Sequence, residues 1–221
     1  MADEKKSLVW DLPVRLFHWS IVILVVFSWY SIEIEENLDW HFISGYCVLA
    51  LLLFRVTWGF IGTRYARFRS MLFKPATTLQ YFRSLFSGQN QRYSGHNPAG
   101  SLSVFALLGL MLVQATTGLF ANDEDYYFGP LSDYVSIQTA DRLTELHHLN
   151  FNILTGFIVL HILAIIFYRL VKKEKLLLAM ITGNKSTPES GDEGIAHSKL
   201  VAALLTLIVS ASAVYLLVNF A

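Results

Sequence analysis

The sequence predicts an all-α membrane protein, with a four-helix transmembrane bundle followed by a fifth, C-terminal transmembrane helix. Apolar residues make up 54% of the 221 residues and charged residues only 15%, whereas soluble domains carry about 25% charged residues. Five apolar stretches reach the roughly 20 residues that a helix needs to cross a bilayer. These stretches do not alternate between polar and apolar residues, which favours helices over the strands of a barrel.

The five predicted spans cover residues 16–34, 42–61, 99–121, 146–170 and 200–220. The first span is preceded by Asp11 and Pro13, and the third by Asn97 and Pro98. A side-chain N-cap followed by an early proline is typical of a helix start. The first span lacks a small-residue cleavage site, so we expect it to stay in the protein and not to act as a signal peptide.

The chain divides into three predicted parts. Residues 1–182 form the four-helix domain, residues 183–199 a polar, flexible cytoplasmic linker, and residues 200–221 an accessory transmembrane helix. Between the second and third spans, a short helix would lie on the membrane surface or form an ordinary loop helix. One face of that helix collects the apolar residues Leu79, Phe82 and Phe86.

The formal net charge of zero conceals a strong asymmetry across the membrane. One side holds 15 basic and 7 acidic residues, a net charge of +8, and the other side 1 basic and 10 acidic residues, a net charge of −9. The positive-inside rule then places the N-terminus in the cytoplasm and the C-terminus outside. A chain without a net basic charge gives no reason to expect nucleic acid binding. The ten acidic residues outside are Glu33, Glu35, Glu36, Asp39, Asp123, Glu124, Asp125, Asp133, Asp141 and Glu145.

Histidines inside membrane spans are costly and point to function. His147 and His161 are 14 residues apart, so on one helix they lie only about 40° from a common face and about 21 Å apart along the axis. His148 lies about 140° away from His161 and is expected to face elsewhere. Two histidines on one face, near opposite membrane edges, suit two stacked haems, one in each leaflet.

Depth in the membrane predicts the second ligand of each haem. His18 lies at the cytoplasmic end of span one and would pair with His161, while His41 lies at the outer start of span two and would pair with His147. Imidazole is a standard haem-iron ligand. Cys47 is the only cysteine, so covalent haem attachment is excluded and both haems would be of b type. A zinc site would need three or four converging ligands, which two separated pairs do not supply.

Three further residues have two interpretations each. Arg55 would bind a propionate of the inner haem or extend towards the membrane edge. Gly45 would leave room for a porphyrin or simply reflect the frequency of glycine in membrane helices. His96 would contribute to a quinone site or proton handling, or have a structural role beside a helix cap. Three tryptophans near span ends fit the aromatic belt at the membrane interface better than a cofactor site: Trp19, Trp40 and Trp58.

Four segments together resemble the bacterial cytochrome b561 family, which includes the b-type cytochrome subunits of nickel–iron hydrogenases. They are VWDLPVRLFHW, LDWHFISGYCVLALLLFRVTWGFIG, SGHNPAG and LTELHHLNFNILTGFIVLH. The resemblance covers about residues 8–182. It implies a bacterial inner-membrane protein with a four-helix core, two b haems on the same four histidines, and electron exchange with the quinone pool. The sequence departs from the family pattern at His148, where many members have glutamate, and in the added fifth span.

Three functions follow from this resemblance. The first is electron transfer between the quinone pool and a periplasmic redox protein, and the acidic outer face favours a basic partner such as a cytochrome c. The second is a superoxide:quinone oxidoreductase, an activity that the family includes. The acidic outer face would repel the superoxide anion, because Arg142 is its single basic residue. The third is a membrane anchor and electron relay for a hydrogenase or dehydrogenase, with an iron–sulfur subunit docked outside.

Overall fold

The structure, a computed structural model, describes residues 6–86, 93–122, 128–186 and 194–220. Five of the helices in these ranges are long and apolar enough to cross a membrane, which confirms the predicted fold class. In chain order, the elements are β1 (Lys6–Leu8), α1 (Leu12–Glu33), α2 (Leu38–Ile61), α3 (Pro75–Phe86), α4 (Pro98–Gly118), α5 (Ile137–Leu170), α6 (Leu176–Thr182), β2 (Asn184–Ser186) and α7 (Leu200–Phe220). The spanning helices are α1, α2, α4, α5 and α7.

Both predicted N-caps are present. The Asp11 carboxylate accepts a hydrogen bond from the Val14 backbone N–H at 2.7 Å and starts α1. The Asn97 side chain accepts one from the Gly100 N–H at 2.7 Å and starts α4. Each cap satisfies a backbone donor that the first turn of a helix leaves without a partner. These two helices therefore begin where the sequence predicts.

Helix α5 is longer than its predicted span. It begins at residue 137, where Ser136 caps Thr139, and its 34 residues make about 51 Å at about 1.5 Å per residue. The hydrocarbon core of a bilayer is about 30 Å thick, so part of α5 extends beyond it. Asp141 and Glu145, counted above among the acidic residues outside, lie on this helix. Hydropathy misses such a start because the first turns are polar.

Helix packing places α2 at the centre of the bundle. It packs against α1, α4 and α7, while α5 packs mainly on α4. Its buried Leu52 and Trp58 lie in the main hydrophobic core with Phe17 of α1 and Leu108 of α4. The added helix α7 packs on α2 through its small residues, and Ala203 joins the same core. The fifth helix is thus part of the packed bundle.

The two ends of the bundle differ in charge. We call the end with the α1–α2 connection, which carries Glu33, Glu35 and Glu36, the acidic end. We call the opposite end, where α2 leads into α3, the basic end, since Arg64 and Arg67 follow α2 there. Ten charges counted in the sequence lie outside the described residues: Asp3, Glu4, Lys5, Arg92, Asp123, Glu124, Asp125, Glu189, Asp192 and Glu193.

Helix α3 confirms the short helix predicted between the second and third spans. Leu79 and Phe82 are exposed on one side of it, whereas Tyr81 and Ser84 are buried on the other. The Tyr81 hydroxyl lies 2.8 Å from the Tyr168 hydroxyl of α5, which ties α3 to the bundle. The side chain of Phe86, assigned to the apolar face, is outside the described part of the chain.

A cap that the sequence did not indicate closes the basic end. β1 and β2 pair antiparallel, and the backbone N–H groups of Val9 and Trp10 donate to the Gly183 carbonyl at 2.9 and 3.0 Å. Gly183 has φ of 85°, and a Cβ there would lie 2.7 Å from the Trp10 carbonyl oxygen, so only glycine fits. The first residues of the predicted linker therefore belong to this cap.

Candidate functional site

At the acidic end, His41 of α2 and His147 of α5 lie close together in an edge-to-face arrangement. Their ring centres are 6.2 Å apart and the ring planes are inclined by 79°. One metal ion between them, with a bond of about 2 Å to each ring nitrogen and each ring centre about 1 Å behind its nitrogen, requires about 6 Å. The spacing therefore fits a single metal ion with two imidazole ligands.

Hydrogen bonds orient both rings of this pair. His41 Nδ1 lies 3.0 Å from the Ser28 carbonyl oxygen, and His147 Nδ1 lies 3.0 Å from the Gln114 carbonyl oxygen. A carbonyl oxygen can only accept, so in each ring Nδ1 carries the proton and Nε2 keeps its lone pair. This is the arrangement that metal-binding histidines use to fix their tautomer.

A cavity of about 390 Å³ surrounds the two histidines, and most of its lining is apolar. Gly45 lines it, and a Cβ at that position would meet no atom within 4 Å. Gly118 of α4 also lines it, and a Cβ there would lie 3.1 Å from His147 Cε1. His148 lines the cavity as well, with an exposed ring, although helical spacing turns it away from His161. Adjacent residues differ by about 100° on a helix, so both can border one wide cavity.

The basic end holds the second predicted pair. His18 of α1 and His161 of α5 are both partly buried at this end. His161 Nδ1 lies 3.3 Å from the Ser103 hydroxyl of α4. His18 Nδ1 is buried and has no hydrogen-bond partner within the described ranges. The unbroken helix α5 thus carries one histidine of each pair, as the 14-residue spacing predicts.

Arg55 is a buried cation in the part of α2 that leads to the basic end. Its side chain is only 3% exposed, its guanidinium lies over the Phe68 ring, and its Nη1 has no hydrogen-bond partner among the described residues. The nearby Asp11 carboxylate accepts hydrogen bonds from three other donors: Val14 N–H, Trp58 Nε1 at 3.1 Å and Thr63 Oγ1. Burying a charge is costly unless it is paired, so Arg55 is a candidate to bind an anion. The buried Arg55 does not extend to the membrane edge.

Trp58 corrects one sequence prediction. Its ring is completely buried and its Nε1 donates to Asp11, so it belongs to the core and not to an aromatic belt. Asp11 therefore has a double role, as the N-cap of α1 and as the acceptor that joins α1 to α2. Nothing in the spacing of these residues indicated this contact, because they are far apart in the sequence.

His96 lies beside Arg55, outside the spanning helices. Its ring packs on Trp10 with ring centres 4.4 Å apart, and its buried Nδ1 has no partner in the described part of the chain. Burial, together with the charges of Arg55, Lys185 and His161, lowers the pKa of His96 to about 3. The neutral ring therefore faces the same region as Arg55 and can offer one N–H donor.

Sequence reasoning missed the residues that support the histidines. Ser28, Ser103 and Gln114 were available as polar residues inside apolar spans, and such residues indicate function or helix–helix hydrogen bonding. Gln114 also accepts from the buried Asn150 side chain at 2.7 Å, which joins α4 to α5 next to His147. Which histidine each polar residue supports depends on the packing of α4 against α5.

Among the described residues, no three His, Cys, Asp or Glu side chains converge on a common point. The histidines that the structure brings together come as two pairs, at opposite ends of α5. A family model for prokaryotic cytochrome b561 matches residues 9–183.

The chain belongs to the prokaryotic cytochrome b561 family. Three relatives carry the name "Probable Ni/Fe-hydrogenase B-type cytochrome subunit". The relative from Rhodobacter capsulatus is 26% identical over 215 residues, which cover 80% of each chain. The relative from Rhizobium leguminosarum bv. viciae is 23% identical over 219 residues (83% of this chain, 91% of the relative). The relative from Azotobacter vinelandii is 26% identical over 211 residues (79% and 86%). No solved structure matches this chain.

Family membership confirms the resemblance deduced from the sequence motifs. The protein is a multi-pass membrane cytochrome of b type, and the family implies haem b, a di-haem four-helix bundle and electron transport. The residues at both ends of the bundle fit a haem b group. At the acidic end the fit lies in the two neighbouring rings and the cavity. At the basic end it lies in the histidine pair and in the buried Arg55, whose Nη1 has no hydrogen-bond partner among the described residues.

Proposed function

We propose that this cytochrome b561-family protein carries electrons across the membrane between the quinone pool and a redox protein on the outer side. His41 and His147 would be the axial ligands of one b haem, and His18 and His161 those of the other. The neighbouring rings of His41 and His147, 6.2 Å apart, are the observation that carries this proposal. When bound, each haem supplies an iron that takes up and releases one electron.

The chain contributes orientation, space and charge to this function. Hydrogen bonds to the Ser28 and Gln114 carbonyls hold Nε2 of the acidic-end histidines towards the cavity. Gly45 leaves the cavity wall open for a porphyrin face. At the basic end, the buried Arg55 guanidinium, whose Nη1 has no hydrogen-bond partner among the described residues, would hold a haem propionate by a charge-assisted hydrogen bond.

The basic end would face the cytoplasm of a bacterial inner membrane. This orientation rests on the positive-inside rule and on the net charges of +8 and −9 counted in the sequence. Quinone would then be handled near His18, Arg55 and His96, where the neutral His96 ring can donate a hydrogen bond to a quinone carbonyl. Treatment of intact spheroplasts with a protease should cleave tags at the acidic end only.

The names of the relatives favour one kind of outer partner. Each is called a hydrogenase cytochrome subunit, so an iron–sulfur subunit docked at the acidic end is the first candidate and a basic cytochrome c the second. The acidic residues at that end would speed association with a basic partner in a salt-sensitive way. Co-purification of an iron–sulfur subunit would support the first candidate. Salt-sensitive reduction of a basic cytochrome in proteoliposomes would support the second.

Haem content provides the decisive test of the site. Purified protein should show the α band of b-type haem in a reduced-minus-oxidised spectrum and about two haems per chain. His147→Ala should remove the acidic-end haem, whereas the neighbouring variant His148→Ala should keep both. Loss of a haem in His148→Ala with retention in His147→Ala would show that the ligand assignment is wrong.

A further inference from the structure

The connection between α2 and α4 is strongly basic. Residues 40–122 contain no aspartate or glutamate, although residues 62–97 alone contain six arginines and lysines. Four of these basic side chains are exposed and have no carboxylate partner in the described part of the chain: Arg67, Arg69, Lys74 and Arg83. Their positive charges therefore attract an anion from outside the chain.

Helix α3, within this connection, turns apolar side chains away from the bundle. Tyr81 is buried and bonded to α5, whereas Leu79 is 53% exposed and Phe82 is 41% exposed. Arg83 is also exposed and lies only about 40° from Leu79 around the helix axis. A face that combines apolar and basic side chains is typical of a helix that lies in the interface of a bilayer.

Helix α6 carries the same combination at the same end of the bundle. Three of its side chains are more than half exposed: Leu177, Leu178 and Ile181. Lys173 and Lys175, just before the helix, are exposed as well, and Glu174 between them is paired with Lys185 at 3.5 Å. Trp19 Nε1 of α1 donates to a backbone carbonyl of α6 at 3.4 Å. Because tryptophans are enriched where a bilayer meets water, this contact places α6 at the depth of the interface.

The exposed apolar side chains of α3 need an explanation beyond charge. Basic residues are expected in any cytoplasmic connection, but that rule does not explain why Leu79 and Phe82 are exposed beside them. An anionic phospholipid matches both features. Its acyl chains remove the apolar side chains from water, and its phosphate accepts charge-assisted hydrogen bonds from arginine. A soluble anion would match the charges alone.

We propose that the outer face of α3, together with residues 67–74 before it, binds anionic phospholipids of the surrounding leaflet. The exposed arginines and Lys74 bind the headgroup phosphates, while Leu79 and Phe82 contact the acyl chains. Juxtamembrane basic segments are attracted to anionic lipids in this way. The proposal does not depend on the electron-transfer function, so either can fail alone.

Lipid titration of the full, haem-loaded chain in neutral detergent, followed by native mass spectrometry, tests the charges. The parent protein should bind phosphatidylglycerol more tightly than phosphatidylcholine. Arg83→Gln should weaken phosphatidylglycerol binding about fivefold, and Arg67→Gln combined with Arg83→Gln about 25-fold, with phosphatidylcholine binding unchanged. Arg142→Gln, which removes an exposed arginine from α5 near the acidic end, is the matched control and should change neither affinity.

Three outcomes of this titration would overturn the proposal. They are equal affinity of the parent for the two lipids, equal losses in Arg83→Gln and Arg142→Gln, and displacement of the bound phosphatidylglycerol by inorganic phosphate, which would indicate a site for free anions. The haem-to-protein ratio of each variant separates a lost lipid site from a misfolded chain. Weakened lipid binding at the parent ratio would support the proposal.

A spin label tests the apolar contact without changing any charge of the surface. In a Cys47→Ser background, a nitroxide on Leu79→Cys in bilayers that contain phosphatidylglycerol should be more accessible to oxygen than to a water-soluble nickel chelate. The same label on Arg142→Cys should show the reverse. Preferential access of the nickel chelate at position 79 would show that α3 faces water. Shielding from both reagents would show that a second copy or another protein covers this face, and either result would refute lipid binding there.

Discussion

Replacing Gly45 by leucine should remove the acidic-end haem and leave the basic-end haem in place. A Cβ at Gly45 would meet nothing within 4 Å, and the position lines the cavity of about 390 Å³. A leucine side chain added there would fill about 150 Å³, judged from the cavity that a deleted buried leucine leaves. More than a third of the cavity would be lost, and a rigid porphyrin cannot adapt to this loss.

The measurement is the ratio of haem to protein, with the reduced-minus-oxidised spectrum as a second readout. We expect about two haems per chain in the parent protein and about one in Gly45→Leu, with Gly45→Ala close to the parent value because one methyl group is small.

Gly109→Leu is the matched control. Gly109 lies in α4, is exposed, and also has no atom within 4 Å of an added Cβ, but it does not line the cavity. This variant should keep both haems. Retention of two haems in Gly45→Leu, or an equal loss in Gly109→Leu, would refute the assignment of Gly45 to the haem site.

Two further predictions concern the basic end. Asp11→Ala should lower the free energy of unfolding by about 3 to 5 kcal/mol, because the buried Trp58 and Thr63 donors lose their acceptor and α1 loses its N-cap. Asn37→Ala, which removes an N-cap with one described hydrogen bond, should lower it by about 1 kcal/mol. Equal losses for the two variants in denaturant titrations would contradict the double role of Asp11. The pKa of His96 is lowered to about 3 from 6.5, so the unfolded chain binds the extra proton first and stability falls as the pH drops below about 6.5. Thermal unfolding between about pH 7 and about pH 5 should show a smaller loss in His96→Asn than in the parent, and an unchanged loss would show that His96 is not the group responsible.

The sequence alone determined the features that depend on local pattern. The five spans follow from uninterrupted apolar length, because a helix must cover the hydrocarbon core. The starts of α1 and α4 follow from Asp11 and Asn97, because a cap satisfies the donors of its own first turn. The shared face of His147 and His161 follows from the helical repeat alone.

Only the tertiary structure decided which distant residues meet. The packing of separate helices decides that Asp11 contacts Trp58 and which carbonyls accept hydrogen bonds from His41 and His147. No short-range pattern specifies that packing. The early start of α5 and the β1–β2 cap lie in polar segments, where hydropathy carries no signal. The apolar pattern selects the helices, but the polar contacts between helices determine where the site forms and how it is charged.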